Sequence, residues 1–531
     1  AVTMTDGRYA IQVKQQVDSS CFEIADSTEV KTEDWIGSNA LSGSKIGYDP
    51  FLHTVDQIAT LEKSLIAKGI SLAPIRGNLI DKVWTNRPAP PTGQVILFPD
   101  SVAGQTSGQK RRKIAESIKA ANANALIVAQ PDSVAWLLNI RGADVPHTPL
   151  ALSYAILYAD DTLDWFIDGS KVGGVVRDHL GQGVRLHDML HLESRIRELA
   201  FNGLALHDSK RSSIWFKQVV EAAGGELKSI DDPCILNRAC KSKSEQDAII
   251  DTHIRDGVAV VKFLKWFDDE SPKGQLDEIK VAERLESFRR EDKGYKDSSF
   301  DTIAGWNANG AIVHYRAAPA SAAKIQGNGM LLLDSGGQYE WGTTDITRTI
   351  AVGVPNEEMK RHFTLVAKGH IAVAMARFPA GTTGVQIDTL ARQALWAEGL
   401  DYDHGTGHGV GCYLSVHEEA AGIHKRGNVP FQAGMLISNE PGYYREGQYG
   451  IRIESLVFVR EGGKRVGTDK LMLAFETVTL APIDRRLIVA DMLEKSEKDW
   501  LNAYHARVYD TLSPRLEPDV RAWLKQATAE I

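Results

Sequence analysis

Asp334 and Asp345 stand eleven positions apart in MLLLDSGGQYEWGTTDITRTIAV, the first behind three leucines and the second before another strand-like run. Acidic side chains are depleted in strand interiors and costly there unless a partner or a cation compensates them. A hairpin folding the two together would offer an oxygen-rich pair; one aspartate in a turn and the other at a strand edge is the plainer alternative. His404 and His408 follow in HGTGHGVG. The interleaved glycines argue against a helix and for a loop or irregular strand whose backbone comes close to a bound group. The spacing does not match the dinucleotide-binding G-x-G-x-x-G pattern. His417 comes nine residues beyond His408 in SVHEEAAGIH, and Ala421 four positions later rules out the H-E-x-x-H zinc motif. Taken alone it reads as a structural or surface histidine. GMLISNEPGYY sets Glu440 at a strand end before a Pro-Gly turn, and YGIRIESLVFV sets Glu454 among apolar residues. Strand alternation gives Arg452 and Glu454 a common face, so an ion pair between them would explain both without a metal.

Together Asp334, Asp345, Glu440 and Glu454 carry four negative charges, with His408 as a neutral donor. Four buried carboxylates could not all ionise side by side, whereas two divalent cations would balance them. One imidazole among oxygens and no cysteine suits Mn²⁺ or Co²⁺, admits Zn²⁺, and disfavours a structural zinc site.

The elements that must position these groups are legible in outline. Val55 to Lys68 reads as a helix, and the stretch NRPAPPTG closes a first segment near residue 92. Between about 93 and 232 strand and helix patterns alternate: GQVILFP, KRRKIAESIKAANA and ALIVA imply a parallel-sheet α/β domain. The basic run Lys110 to Lys113 reads as the solvated start of its helix. From 233 to 531 a third domain of α+β type opens on a helix with Ile250, Ile254, Val258 and Val261 on one face. Further helices are expected at Glu357 to Phe378 and Thr383 to Gly399. Residue 1 is Ala and the chain opens on a strand-like stretch, so the first domain is expected to lack its beginning.

Composition sets the outer bounds. With 531 residues, 61 Lys plus Arg and 69 Asp plus Glu, the net charge is −8, which carries no footprint for nucleic acid or an anionic membrane. Four cysteines without a C-x-x-C pair fit a reducing compartment. No apolar run of membrane-spanning length and no signal peptide are readable, so a soluble cytoplasmic protein is expected.

At its chemistry-bearing residues the sequence resembles the cytosolic Xaa-Pro aminopeptidases of the pita-bread metallopeptidase superfamily. The matching segments include TDGRY, WTNRPAPP, WLLNIRG, NGAIVHY, LLDSGGQY, GTTDITRT, HGTGHGVG, VHE, EPGYY and GIRIES, spread over nearly the whole chain. The resemblance implies two related α/β N-terminal domains, at 1–92 and 93–232, followed by a pita-bread catalytic domain at 233–531. It implies a metal pair, most readily Mn²⁺, with Asp334 on one ion, His408 and Glu440 on the other, and Asp345 and Glu454 bridging both. It assigns His314, His404, His417, Tyr444 and Arg452 to the substrate side, Glu440 to general-base duty, and His417, with His404 beside it, to proton transfer and oxyanion stabilisation. The reaction implied is hydrolysis of the first peptide bond before a proline by a hydroxide bridging the two metals, in a homodimer, on peptides with proline in second position. Prolidase, which takes only dipeptides, shares the ligands; a non-catalytic pita-bread binding module is the alternative from another class.

Overall fold

In the computed structural model, residues 1–463 and 469–531 are described. The chain divides into two compact units, one made of Ala1–Ile24 with Ala239–Ile531 and the other of Ala25–Arg238. The N-terminal 24 residues therefore pack in the same unit as every candidate metal ligand. The finer division at residue 92 stands as a proposal.

Within Ala25–Arg238 the main sheet has six strands: β1 (Ala125–Val128), β2 (Tyr154–Tyr158), β3 (Leu163–Phe166), β4 (Val184–His187), β5 (Ala205–His207) and β6 (Leu227–Ser229), in the order β4-β3-β2-β1-β5-β6. The sheet is mixed rather than parallel: β1 pairs antiparallel with β2, and β2 with β3. The short connection from β2 to β3 cannot hold a crossover helix, so the two must form a hairpin. GQVILFP contributes only Ile96–Leu97, paired with Ile140–Arg141 outside this sheet. The basic run is solvated only in its second half, Arg112 and Lys113. Its helix α1 (Ser107–Ala120) turns Lys110 and Arg111 inward with Ile114 and Ile118. Lys110 Nζ donates to the Trp136 carbonyl at 3.0 Å and to Asn139 Oδ1 at 2.6 Å, and Arg111 donates to the Asp161 and Gly183 carbonyls. Helical period overrides charge here because long stems can be buried while their heads find oxygens.

The unit containing the candidate site opens on α2 (Lys243–Glu270), started by a reciprocal Ser242 and Glu245 capping box. Its buried face runs through Ile249, Val260, Phe263 and Phe267, while Ile254 and Val258 are only partly buried. The expected stripe does face a core, with Val261 fully buried and Ile254 and Val258 packed against the same cluster, and the helix is buried on a second side as well, through Thr252, His253, Asp256 and Gly257. Three antiparallel strands, β7 (Ile303–Trp306), β8 (Gly329–Ser335) and β9 (Ile346–Val352), form one sheet, and every residue of β8 and β9 is buried. The helices α3 (Glu357–Ala374) and α4 (Gly384–Trp396) fall where the periodicity predicts them. A six-stranded sheet combines β10 (Arg377–Pro379), β11 (Gly407–Gly409), β12 (Glu418–Ile423), β13 (Leu436–Asn439), β16 (Ser455–Gly463) and β17 (Met472–Thr477) in the order β10-β17-β16-β13-β11-β12. The hairpin β14 (Gly442–Arg445) and β15 (Tyr449–Arg452) lies between β13 and β16 in sequence. Helices α5 (Lys495–Leu512) and α6 (Pro518–Ala527) end the chain. Among the described residues no helix is long and apolar enough to cross a membrane.

Candidate metal centre

The carboxylates meet because strand ends and strand pairing converge. Asp334 lies near the end of β8, directly opposite Thr347 of β9, and Asp345 immediately precedes β9. The chain between them is not a single turn, since Gly337–Tyr339 and Gly342–Thr343 form a further ladder of their own. Glu440 follows the last residue of β13, and Glu454 sits between β15 and β16. His408 lies in β11, where glycine is required: a Cβ on Gly407 would collide with the Ser438 carbonyl, and one on Gly409 with that of Glu418. The loop before it is clamped by Arg392 of α4, which donates to the carbonyls of Tyr402 and His404 at 2.7 and 2.8 Å.

Ligand atoms of Asp345, His408 and Glu454 lie within 4.8 Å of one another. His408 Nε2 is 3.5 Å from Asp345 Oδ2 and 3.4 Å from Glu440 Oε1. His408 Nδ1 faces the Gly409 carbonyl at 2.9 Å. A carbonyl only accepts, so Nδ1 carries a hydrogen, and Nε2 is the ring nitrogen that faces the two carboxylates. Lone pairs facing one another repel unless a cation or a proton stands between them. Burial first, then the charges of Asp334 and Glu440, push the Asp345 carboxyl well above the usual range. Glu454 is raised in the same way, by burial and then by Asp345 and Glu440. Glu440 is raised by burial, against the pull of His408 and Arg452. Asp334 Oδ1 and Glu454 Oε1 are closed off from solvent without a hydrogen-bond partner. Inward lone pairs, unpartnered oxygens and an oxygen-rich donor set with one imidazole fit a pair of divalent cations.

The expected ion pair between Arg452 and Glu454 does not form. Arg452 Nη2 donates instead to Asp334 Oδ2 at 2.6 Å and Nη1 to the Tyr444 hydroxyl at 2.6 Å, while Glu454 Oε2 accepts from Thr347 at 2.8 Å. Strand alternation stops at Arg452, Glu454 lies outside both strands, and β8 supplies the carboxylate that Arg452 meets. His404 Nδ1 donates to the Gly405 carbonyl, so its Nε2 accepts from the Tyr444 hydroxyl at 2.8 Å. Both ring nitrogens of His404 are thereby committed to protein partners. Burial, then Arg452, lowers its pKa to about 3. His417 packs edge-on against His408, with ring centroids 4.1 Å apart, and is exposed to solvent. The nearby His408 and then desolvation lower its pKa to about 2. His314 is lowered to about 4 by burial and by Arg452 and Arg8.

Three further groups belong to the site. Thr347 holds Glu454, and Ser438 donates to Glu440 Oε1 at 3.1 Å while accepting from the His408 backbone N–H at 2.9 Å. Both lie two residues from a carboxylate along the chain, and the period-two rule applied to each would have found them. The third is Arg8. Its guanidinium is held by Asp6 through Nε and Nη2 at 3.0 and 2.7 Å, and its charge acts on Glu440, His314 and His417. Tyr9 stacks edge-on against His314 at 5.0 Å. Nothing local in TDGRY signals this placement, since the partners lie hundreds of positions away.

Residues 247–461 match the model of metallopeptidase family M24, residues 86–245 the creatinase/prolidase N-terminal domain, and residues 471–531 the C-terminal region of the M24 peptidases. A probable Xaa-Pro aminopeptidase P from Laccaria bicolor is 40% identical over 546 residues, covering 99% of this chain and 84% of the relative. One from Fusarium vanettenii is 39% identical, covering 100% of this chain and 90% of its own length. The cytosolic X-prolyl aminopeptidase of Caenorhabditis elegans, a structure described as having a di-nuclear active site, superposes with a TM-score of 0.95 at 34% identity, over 100% of this chain and 88% of the other. The prolidase of Pyrococcus horikoshii, at 22% identity and a TM-score of 0.55 over 71% of this chain and 99% of its own, shares the fold alone.

Proposed function

The chain belongs to metallopeptidase family M24, and from that premise we propose that it is a metal-dependent Xaa-Pro aminopeptidase, releasing the first residue of peptides whose second residue is proline. The observation carrying this reading is the set of inward-facing lone pairs on Asp345, His408, Glu440 and Glu454 in a chain whose full length matches aminopeptidase P relatives. Asp334 would hold one cation, His408 and Glu440 the other, and Asp345 and Glu454 both. Mn²⁺ is the ion this donor set favours. When bound, the cations lower the pKa of the attacking water and polarise the scissile carbonyl.

The protein's own groups do the remaining work. Glu440, its Oε1 oriented by Ser438, takes the proton of the attacking water. Neutral His417 donates a hydrogen bond to the oxygen on which charge develops, and the proton taken up by Glu440 is returned to the leaving imino nitrogen with His417 as the relay. His404 and Arg452 fix the Tyr444 hydroxyl from two sides, and Arg452 at the same time anchors Asp334. That chain gives the proline ring a rigid wall with His314 opposite. A wall is needed because proline offers no N–H to read. Arg8, held by Asp6, adds its charge to the field at Glu440.

The cytosolic location follows the Caenorhabditis elegans enzyme, and a homodimer is part of the same reading. The test is an Mn²⁺-loaded sample offered Xaa-Pro-Xaa tripeptides and Xaa-Pro dipeptides. Release of the first residue from the tripeptide, with two equivalents of metal per chain, supports the aminopeptidase. Dipeptide cleavage alone would make it a prolidase, and neither cleavage nor metal uptake would leave a binding module.

A further inference from the structure

Behind β9, on a wall shared by α2, α6 and the segment after Leu480, lies a cavity of about 210 Å³. Its apolar lining comes from Leu264, Ile350, Pro482, Ile483 and the ring of Trp523. Its charged lining is unbalanced: Arg348, Arg485 and Arg486 against Asp268 and Asp484. Arg486 pairs with Asp484 at 2.7 Å and with Asp268 at 3.1 Å, and both carboxylates also accept N–H donors, Asp268 from Trp523 Nε1 at 2.8 Å and Asp484 from the Ala351 backbone at 2.9 Å. The two carboxylates are therefore spent on Arg486.

Arg348 and Arg485 have no such partner among the described residues. Arg348 is buried and donates to the carbonyls of Thr347, Ala481, Pro482 and Glu454 and to the hydroxyls of Ser455 and Tyr504, all neutral oxygens. Arg485 donates to the Gln526 and Glu530 carbonyls, and its Nε is closed off from solvent with no hydrogen-bond partner. Carbonyl dipoles solvate a guanidinium without cancelling its charge, and the cavity keeps a surplus of one positive charge beside an apolar floor. Pockets that combine an apolar lining with a few convergent polar groups are where small ligands bind.

We propose that this cavity is a binding site for a small apolar monoanion, a flat carboxylate of about the size of benzoate, with its carboxylate toward the Nη groups of Arg485, in the field of the fully bonded Arg348, and its ring against Trp523. The site is separate from the metal cleft but joined to it, because Arg348 holds the backbone carbonyl of Glu454.

The experiment is calorimetric titration of the metal-loaded protein with benzoate, benzamide and benzylamine. Saturable binding of benzoate, one per chain and at least tenfold tighter than benzamide, with no binding of benzylamine, is expected. Ala527→Phe, which fills the cavity, should weaken benzoate at least tenfold, and Arg485→Met should weaken it while leaving tripeptide cleavage in the absence of benzoate unchanged. No saturable benzoate binding up to ~10 mM, or equal binding of benzoate and benzamide, overturns the proposal. Benzoate binding that survives Ala527→Phe places the anion on the metal centre instead and also overturns it. The titration reads binding directly, so its outcome does not depend on the peptidase reading.

Discussion

Two buried acidic centres in this chain behave in opposite ways. In the unit Ala25–Arg238, Asp164 of β3 is fully shut off from solvent yet held below the usual carboxylate range. Burial pushes it upward, but Arg185, Tyr158, Arg195 and His187 surround it, at 2.5, 2.8, 2.8 and 3.1 Å. In the other unit Asp345 and Glu454 are likewise shut off from solvent and are forced well above that range, first by burial and then by the neighbouring carboxylates. Desolvation acts at both centres, and the company of each carboxylate sets the difference in sign. A carboxylate ringed by donors is complete, whereas carboxylates facing one another require cations from outside.

This contrast can be broken by exchanging charge at each centre. Glu440→Gln should lower turnover of an Xaa-Pro-Xaa peptide by roughly 10³-fold, the scale of a lost general base that is also a ligand, with an unchanged circular dichroism spectrum; wild-type turnover would falsify its role. Asp345→Asn should lose metal by elemental analysis and fall in activity with it, and excess Mn²⁺ should restore only part. Asp164→Asn should do the reverse: peptidase activity per folded molecule stays the same, while urea unfolding shows a loss of about 3 kcal/mol, the low end for breaking a buried pair because Arg185 and Arg195 are partly exposed. A variant equally stable would show that the ring of donors around Asp164 is dispensable.

Protons sharpen the same comparison. Protons and metals compete for Asp345 and Glu454, whose carboxyls are raised well above the usual range, so metal affinity should rise with pH above that range, as competition titrations would show. A further effect, read only on the acid limb, concerns His370 of α3, whose ring nitrogens are buried without partners and whose pKa burial, then Arg348, lowers from 6.5 to about 3. The unfolded chain then binds a proton that the folded chain refuses. Stability from this residue is complete above pH 6.5 and is lost as pH falls toward 3, by about 1.4 kcal/mol per pH unit. His370→Phe should flatten the acid limb of a stability profile by about one proton; an unchanged slope would mean that His370 titrates normally.

Helices and the candidate metal ligands were open to reading in one dimension. Periodicity located α3 and α4, and acidic residues in apolar stretches marked Asp334, Asp345 and Glu454 as candidates, of which Asp334 lies within a strand and the other two at strand ends. The mixed sheet of β1 to β6, the inward turn of Lys110 and the partner of Arg452 were not legible there. Each depends on which distant strand or carbonyl arrives alongside, and spacing along the chain holds no record of that.

The sequence by itself determined which side chains had to be compensated, because the cost of a charge in an apolar strand is a local property of residue type and pattern. Only the tertiary structure decided how: Asp334 with Arg452, Glu454 with Thr347, and Arg8 beside Glu440 and His417. Electrostatic energy depends on distance through space, and chain separation says nothing of that distance until the strands have paired.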